Sequence, residues 1–170
     1  IPVWLPKALR EASHLITVGV VEMHQYAGFS GGYKGLVVGC GGRALIEALH
    51  QRSIVTLSDI AVGKLAQNPF RAHIDAIGRL LPTTTALQWI PGHGWLAGDP
   101  ESTLQEASVL MHCFRQIPEP VDQVLVQLPK SKTVNFYQAS RGATYLALSP
   151  RPPLKEGARI ILEASCPEGI

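Results

Sequence analysis

Charge is scarce in this chain: 16% of its 170 residues are Asp, Glu, Lys or Arg, while 46% are hydrophobic. So apolar and weakly charged a composition excludes a disordered chain. Long hydrophobic runs are missing too. The stretches 36–40 and 160–162 fall far short of the ~20 residues that a membrane-spanning helix needs. Basic runs are also absent: the 15 Lys and Arg residues are scattered and the formal net charge is only +2, which argues against nucleic acid as a partner. Cysteine is sparse and odd in number. Cys40, Cys113 and Cys166 lie too far apart for a disulfide framework or a zinc motif, so a reducing cytoplasm is the expected compartment. The opening Ile-Pro-Val-Trp has no basic stretch or cleavage site of a signal peptide, and no internal repeat or low-complexity segment is visible.

What is present alternates. Apolar spacing predicts a short helix over 6–13 and a buried strand over 15–21. It then predicts a strand-like run at 36–38, a helix over 43–51 and a further strand at 54–57. Asn68-Pro69 reads as a helix start, with Asn as cap and Pro at the first position, running to about residue 81. A strand is expected at 86–90, a turn at 91–94, and a helix from Asp99-Pro100 to about 116. Strand 121–128, helix 135–148, a rigid link at 150–153 and strand 158–164 follow. This pattern predicts an α/β fold of mostly parallel sheets flanked by helices, in two lobes, with residues 1–117 and 118–170 as the two parts.

Two segments carry candidate chemistry. Gly39-Cys40-Gly41-Gly42-Arg43-Ala44 fits G-x-G-x-x-G/A, with Asp59 twenty residues beyond Gly39. That is the layout of a dinucleotide site, in which helix N–H groups receive a pyrophosphate and an acid holds the ribose. It makes an NAD-dependent oxidoreductase one reading; a tight turn is the plain alternative. The second segment, Met23-His24-Gln25-Tyr26-Ala27-Gly28-Phe29-Ser30-Gly31-Gly32-Tyr33-Lys34, follows the first expected strand. His24 has the pKa range for acid–base work. Lys34 can serve as a phosphate cation or a covalent nucleophile, and Gly31 and Gly32 let backbone approach a ligand. His50 lies sixteen residues after Lys34. Taken singly, each of these is as readily a solvated or hydrogen-bonded surface residue.

Residues 19–50 resemble the signature region of the nickel-pincer-nucleotide lactate racemase family: His24, Ala27-Gly28-Phe29-Ser30-Gly31-Gly32, Lys34, Gly39 and His50 fall at the family's spacing. Asn68-Pro69, Pro129-Lys130 with Asn135-Phe136-Tyr137-Gln138-Ala139, and the segment ending Ser165-Cys166-Pro167-Glu168-Gly169 are similar to later family segments. The resemblance implies a racemase or epimerase of small 2-hydroxy acids that works by hydride transfer with histidine acid–base catalysis. Its cofactor would be a pyridinium-3-thioamide-5-thiocarboxylic acid mononucleotide carrying nickel. By position, Lys34 would be the covalent attachment, His50 a nickel ligand and His24 one of two catalytic histidines. Gly31 and Gly32 would line the cofactor, and Tyr137, Gln138 and Arg141 the substrate.

The sequence departs from the family in several places. Val38 stands for a proline, Arg141 for a lysine, and the stretch 129–135 is longer. The family's other histidine and an Asp…Arg segment lie upstream of what this chain contains. With Ile1 in place of methionine, this suggests that a missing N-terminal segment or partner chain is needed to complete the site. His14, His73, His93 and His112 have no family counterpart, and Cys40 and Cys166 read as packing residues. A non-catalytic ligand-binding domain is the remaining alternative.

Overall fold

A computed structural model describes residues 3–111, 119–149 and 152–169. The chain divides into two compact units, Ile1–Phe114 and Arg115–Ile170. The boundary expected between 117 and 118 lies outside the described residues, as do the end of the 99–116 helix, His112, Cys113 and the start of the 150–153 link.

In the first unit, helix α1 (Lys7–Glu11) leads into strand β1 (Leu15–Val20). A small antiparallel pair follows, β2 (Met23–His24) with β3 (Gly28–Phe29). Four helices come next: α2 (Lys34–Val37), α3 (Arg43–Leu49), α4 (Arg52–Val55) and α5 (Pro69–Gly78). The chain then returns as β4 (Thr84–Ile90), turns into β5 (Gly94–Gly98) and ends in α6 (Pro100–Met111). The sheet order is β1-β4-β5. β1 runs parallel to β4, from Leu15 opposite Thr84 to Val20 opposite Trp89, and β5 closes an antiparallel hairpin on β4. The second unit is a β–α–β element. β6 (Val121–Gln127) pairs in parallel with β7 (Leu154–Glu163), connected through α7 (Phe136–Ala147). Parallel strands flanked by helices give the α/β class that the alternation predicted. No described helix is long and apolar enough to cross a membrane.

Two apolar clusters form the first unit's core. Tyr33, Leu36, Val37, Leu45, Leu49, Phe70, Ile74 and Ile77 pack α2, α3 and α5 together. Val21, Phe29, Ile90, Leu104, Ala107 and Met111 join the sheet to α6. Ala27 belongs to the first cluster and Phe29 to the second, so the glycine-rich segment is strung between two cores. That position, more than its composition, fixes its shape.

Three expectations fail, each for a local reason. Residues 36–38 and 54–57 are not strands. Val37 N–H donates to Tyr33 O at 2.9 Å and Val55 N–H to Gln51 O at 3.0 Å, closing helical turns. A three- or four-residue apolar run carries too little periodicity to separate strand from helix. The dinucleotide layout fails with them. Gly39 follows a helix rather than a strand, its N–H bonds to Lys34 O, and a Cβ there would lie 2.3 Å from Gly35 O. Its glycine serves a tight helical exit. Asp59 is ion-paired to Lys64 at 2.5 Å, within its own turn. Finally, β1 is not a buried strand: it is an edge, and Ile16 and Val18 are 66% and 61% exposed.

Candidate functional site

The segment from His24 to Lys34 is shaped by α5 and β4 rather than by its own sequence. Asn68 caps α5 by accepting Arg71 N–H at 3.1 Å, and its amide nitrogen donates to Tyr26 O at 2.8 Å and to Lys64 O at 2.9 Å. Arg71, 3% exposed, sends its guanidinium into the concave side of the turn. Nε donates to Ala27 O at 3.3 Å, Nη1 to Gly31 O at 3.4 Å, and Nη2 to Phe29 O. From the sheet, buried Gln88 accepts Gly32 N–H at 2.9 Å and donates to Thr103. Ser30 ties the turn to the strand end, donating to Val20 O at 2.8 Å and accepting Glu22 N–H at 2.7 Å.

Two glycines are dictated by this packing. Gly28 has φ +73°, and a Cβ there would lie 2.1 Å from Lys64 O. At Gly31, with φ +92°, a Cβ would meet Gln88 Oε1 at 2.2 Å.

Lys34 is the first residue of α2, and its N–H bonds to Gly31 O at 3.2 Å. It lines a cleft of about 180 Å³ with Thr17, Gly19, Ser30, Gly31, Gly32 and Gly35. Val18, Val20 and Gln88 complete the lining, and its four glycines leave backbone accessible beside Lys34.

His24 and His50 gather elsewhere, on either side of Tyr26. The ring centroids of His24 and Tyr26 are 6.4 Å apart, and those of Tyr26 and His50 are 5.5 Å apart, both edge-on; His50 also meets Phe70 at 5.3 Å. Neither histidine lines the Lys34 cleft. Hydrogen-bond partners assign their tautomers. His24 Nδ1 accepts N–H from Tyr26 at 3.3 Å and from Ala27 at 3.1 Å, so the neutral ring carries its proton on Nε2. His50 Nδ1 faces Ile46 O at 2.7 Å, which puts the proton on Nδ1 and a lone pair on Nε2. That is the form a metal-ligating imidazole takes when a carbonyl orients it. Among the described residues no group of three or more His, Cys, Asp or Glu side chains could hold a metal ion.

Burial shifts two groups beneath the turn. It lowers the Arg71 pKa, opposed by Asp75, and raises that of Asp75, opposed by Arg71. The pair is 3.6 Å apart, too long for a hydrogen bond, and Asp75 Oδ1 has no hydrogen-bond partner. The arginine is thus committed mainly to carbonyl oxygens.

Tyr137, Gln138 and Arg141 lie on α7 of the second unit. Gln138 N–H donates to the Asn135 cap at 2.9 Å, and Arg141 donates to Tyr137 Oη at 2.6 Å with its guanidinium 4.8 Å from that ring. Arg141 Nε is buried without a hydrogen-bond partner. The sequence reading missed Arg71, Gln88 and Tyr26. The first two had a signal: Arg71 stands in a buried stripe with Phe70, Ile74 and Ile77, and Gln88 sits between inward-facing Ala86 and Ile90. A polar residue at a core position implies a buried network.

Residues 1–61, which contain His24, Lys34 and His50, match the sequence model of the lactate racemase N-terminal domain. The lactate racemase of Lactiplantibacillus plantarum is 25% identical, over 96% of this chain and 39% of that protein. The chain is thus similar to lactate racemases, by its first 61 residues and over part of their length. Its fold agrees with that of the lactate racemase apoprotein from Thermoanaerobacterium thermosaccharolyticum. There the TM-score is 0.77 at 23% identity, covering 98% of this chain and 41% of that one. A Thermotoga maritima protein shares the fold with a TM-score of 0.73 at 16% identity, covering 94% of this chain and 42% of that one. The chain thus spans about two fifths of the length of these lactate racemase relatives.

Proposed function

We propose that this chain carries the cofactor-anchoring part of a racemase or epimerase acting on small 2-hydroxy acids in the cytoplasm. The observation that supports this most is His50: its Nδ1 is held by Ile46 O, leaving Nε2 as a donor atom. The absence of a wider ligand cluster among the described residues fits a metal that arrives inside an organic cofactor and needs one protein nitrogen. Lys34, in a cleft walled by Gly31, Gly32 and Gly35, suits a covalent attachment that flat rings must approach closely. A nickel-pincer nucleotide, when bound, supplies a reversible hydride acceptor for the substrate's α-carbon.

His24 would move the hydroxyl proton. In the geometry described, its neutral ring donates from Nε2; acting as base there requires shifting the proton to Nδ1 and releasing the Tyr26 and Ala27 amides. The imidazolium formed when His24 takes that proton is the species that returns it to the ketoacid oxygen, and it too needs Nδ1 released from the two amides. Tyr137, Gln138 and Arg141 are the substrate-side candidates, Arg141 offering a carboxylate a two-pronged donor. A second catalytic base would come from an N-terminal segment or partner chain.

The test is mass spectrometry and nickel analysis on protein from a host that makes the cofactor. The expected result is added mass on the Lys34 peptide, with nickel lost in His50→Ala while that added mass remains. An unmodified Lys34 in folded protein, beside a lactate racemase loaded in the same host, overturns the proposal and leaves the ligand-binding domain as the reading.

A further inference from the structure

Four backbone carbonyls between His24 and Lys34 end on two side chains of one helical turn: Tyr26 O on Asn68, and Ala27, Phe29 and Gly31 O on Arg71. Gly31 O is shared, accepting both Arg71 Nη1 and the N–H of Lys34 itself. The arginine's grip therefore passes to Lys34 through a single oxygen atom. At the other end of the segment, Tyr26 lies between the rings of His24 and His50 and packs on Phe70, the residue before Arg71. The start of α5 thus touches both halves of the candidate site while lying outside the Lys34 cleft.

A buried guanidinium costs desolvation free energy and is tolerated only when its donors are used. Here Asp75 balances the charge as an ion pair at 3.6 Å, beyond hydrogen-bond distance, and the carbonyl set takes the hydrogen-bond donors. A hydrophobic side chain would pack against Phe70 and Ile74 without that cost. What an apolar residue could not do is draw three carbonyls of alternate residues to one point, which forces the turn and fixes where α2 begins.

We infer that Arg71, seated by Asn68, is a positioning residue for Lys34. It holds the backbone of Lys34 at the cleft, and it would set the efficiency of cofactor attachment without touching the cofactor. The attachment role rests on the function proposed above; the positioning role does not.

The experiment separates the two. In the protein without cofactor, acylation of Lys34 by an amine-reactive ester is followed by peptide mass spectrometry across pH, with Lys7 as internal reference. Arg71→Lys keeps the charge but cannot serve three carbonyls. It is expected to change the Lys34 rate, relative to Lys7, several-fold and to move its pH profile. Ile74→Val, which trims the same core without touching the carbonyl set, is expected to leave both unchanged. In a cofactor-making host, the loaded fraction of Lys34 is expected to fall in Arg71→Lys. If wild-type Lys34 is never loaded, the proposed function fails, yet the acylation result still decides the role of Arg71. A folded Arg71→Lys or Arg71→Met/Asp75→Asn protein with wild-type Lys34 reactivity overturns the inference. Should neither variant fold, amide exchange on the unmutated protein decides. Residues 27–34 are expected to exchange together with the first turns of α5, and exchange of 27–34 well ahead of that helix overturns the inference.

Discussion

Gly31→Ala is the sharpest probe of how the glycine-rich turn is held. Gly31 has φ +92°, and an added Cβ would sit 2.2 Å from Gln88 Oε1. Left-handed backbone costs a non-glycine residue about 1–2 kcal/mol. The amide of Gln88 cannot simply swing away, because Oε1 accepts Gly32 N–H and Nε2 donates to Thr103 in a side chain only 2% exposed. Displacing it strands a buried donor at a cost of about 1–3 kcal/mol. Together the loss is about 2–5 kcal/mol, which at a urea slope of about 2 kcal/mol/M lowers the midpoint by about 1–2.5 M. All three tryptophans, Trp4, Trp89 and Trp95, lie in the first unit, so urea titration followed by tryptophan fluorescence reads that unit alone. A double-mutant cycle adds a control. Gln88→Ala removes the clash partner, so Gly31→Ala/Gln88→Ala is expected to be less destabilised than the sum of the single changes by about 0.5–3 kcal/mol. A single-variant loss under about 1 kcal/mol, or strict additivity in the cycle, refutes the reasoning.

Further outcomes follow from the same geometry. Gly78→Ala drives a Cβ to 2.1 Å from the Tyr33 ring, and calorimetry of this overpacked core is expected to show a loss of about 1–3 kcal/mol. Asp99→Ala strips the carboxylate that accepts Ser102 and Glu101 N–H ahead of α6 and is expected to cost about 0.5–2 kcal/mol by urea titration. Those bonds, the Ser102 amide first, hold the Asp99 pKa below the usual carboxylate value. Its contribution is therefore complete above the unfolded pKa and disappears as pH falls through the lowered folded one, and Asp99→Asn is expected to flatten that part of the acid-unfolding profile. Tyr137→Phe removes an exposed bond to Arg141 and is expected to change the second unit's stability by under about 1 kcal/mol, measured by circular dichroism.

The residues that announced themselves in the sequence did so through local physics. Asn68-Pro69 caps a helix by its own side chain, Asp99-Pro100 begins another, and Asn135 caps a third; each needs only its next three residues. The α/β alternation was legible for the same reason, since long elements such as α5, α7 and β4 carry their own periodicity. Short elements did not. Residues 36–38 and 54–57 became helical turns because Tyr33, Lys34, Gln51 and Arg52 offer carbonyls one turn back, and three or four apolar residues do not encode that choice.

The candidate site divides along the same line. Its residue types and their order, His24, Gly31, Gly32, Lys34 and His50, stood in the sequence and pointed to a family. Their arrangement did not. Only the folded chain brings Arg71 and Gln88, 40 and 57 residues from Gly31, onto the turn. Only the fold sets the two histidines around Tyr26 while Lys34 opens on a separate cleft. Composition and local spacing determine which groups a chain owns and which helices and turns they start. Which carbonyl a buried arginine claims, and which ring nitrogen keeps its proton, is decided where distant segments meet. There each polar group must find a partner as water is removed.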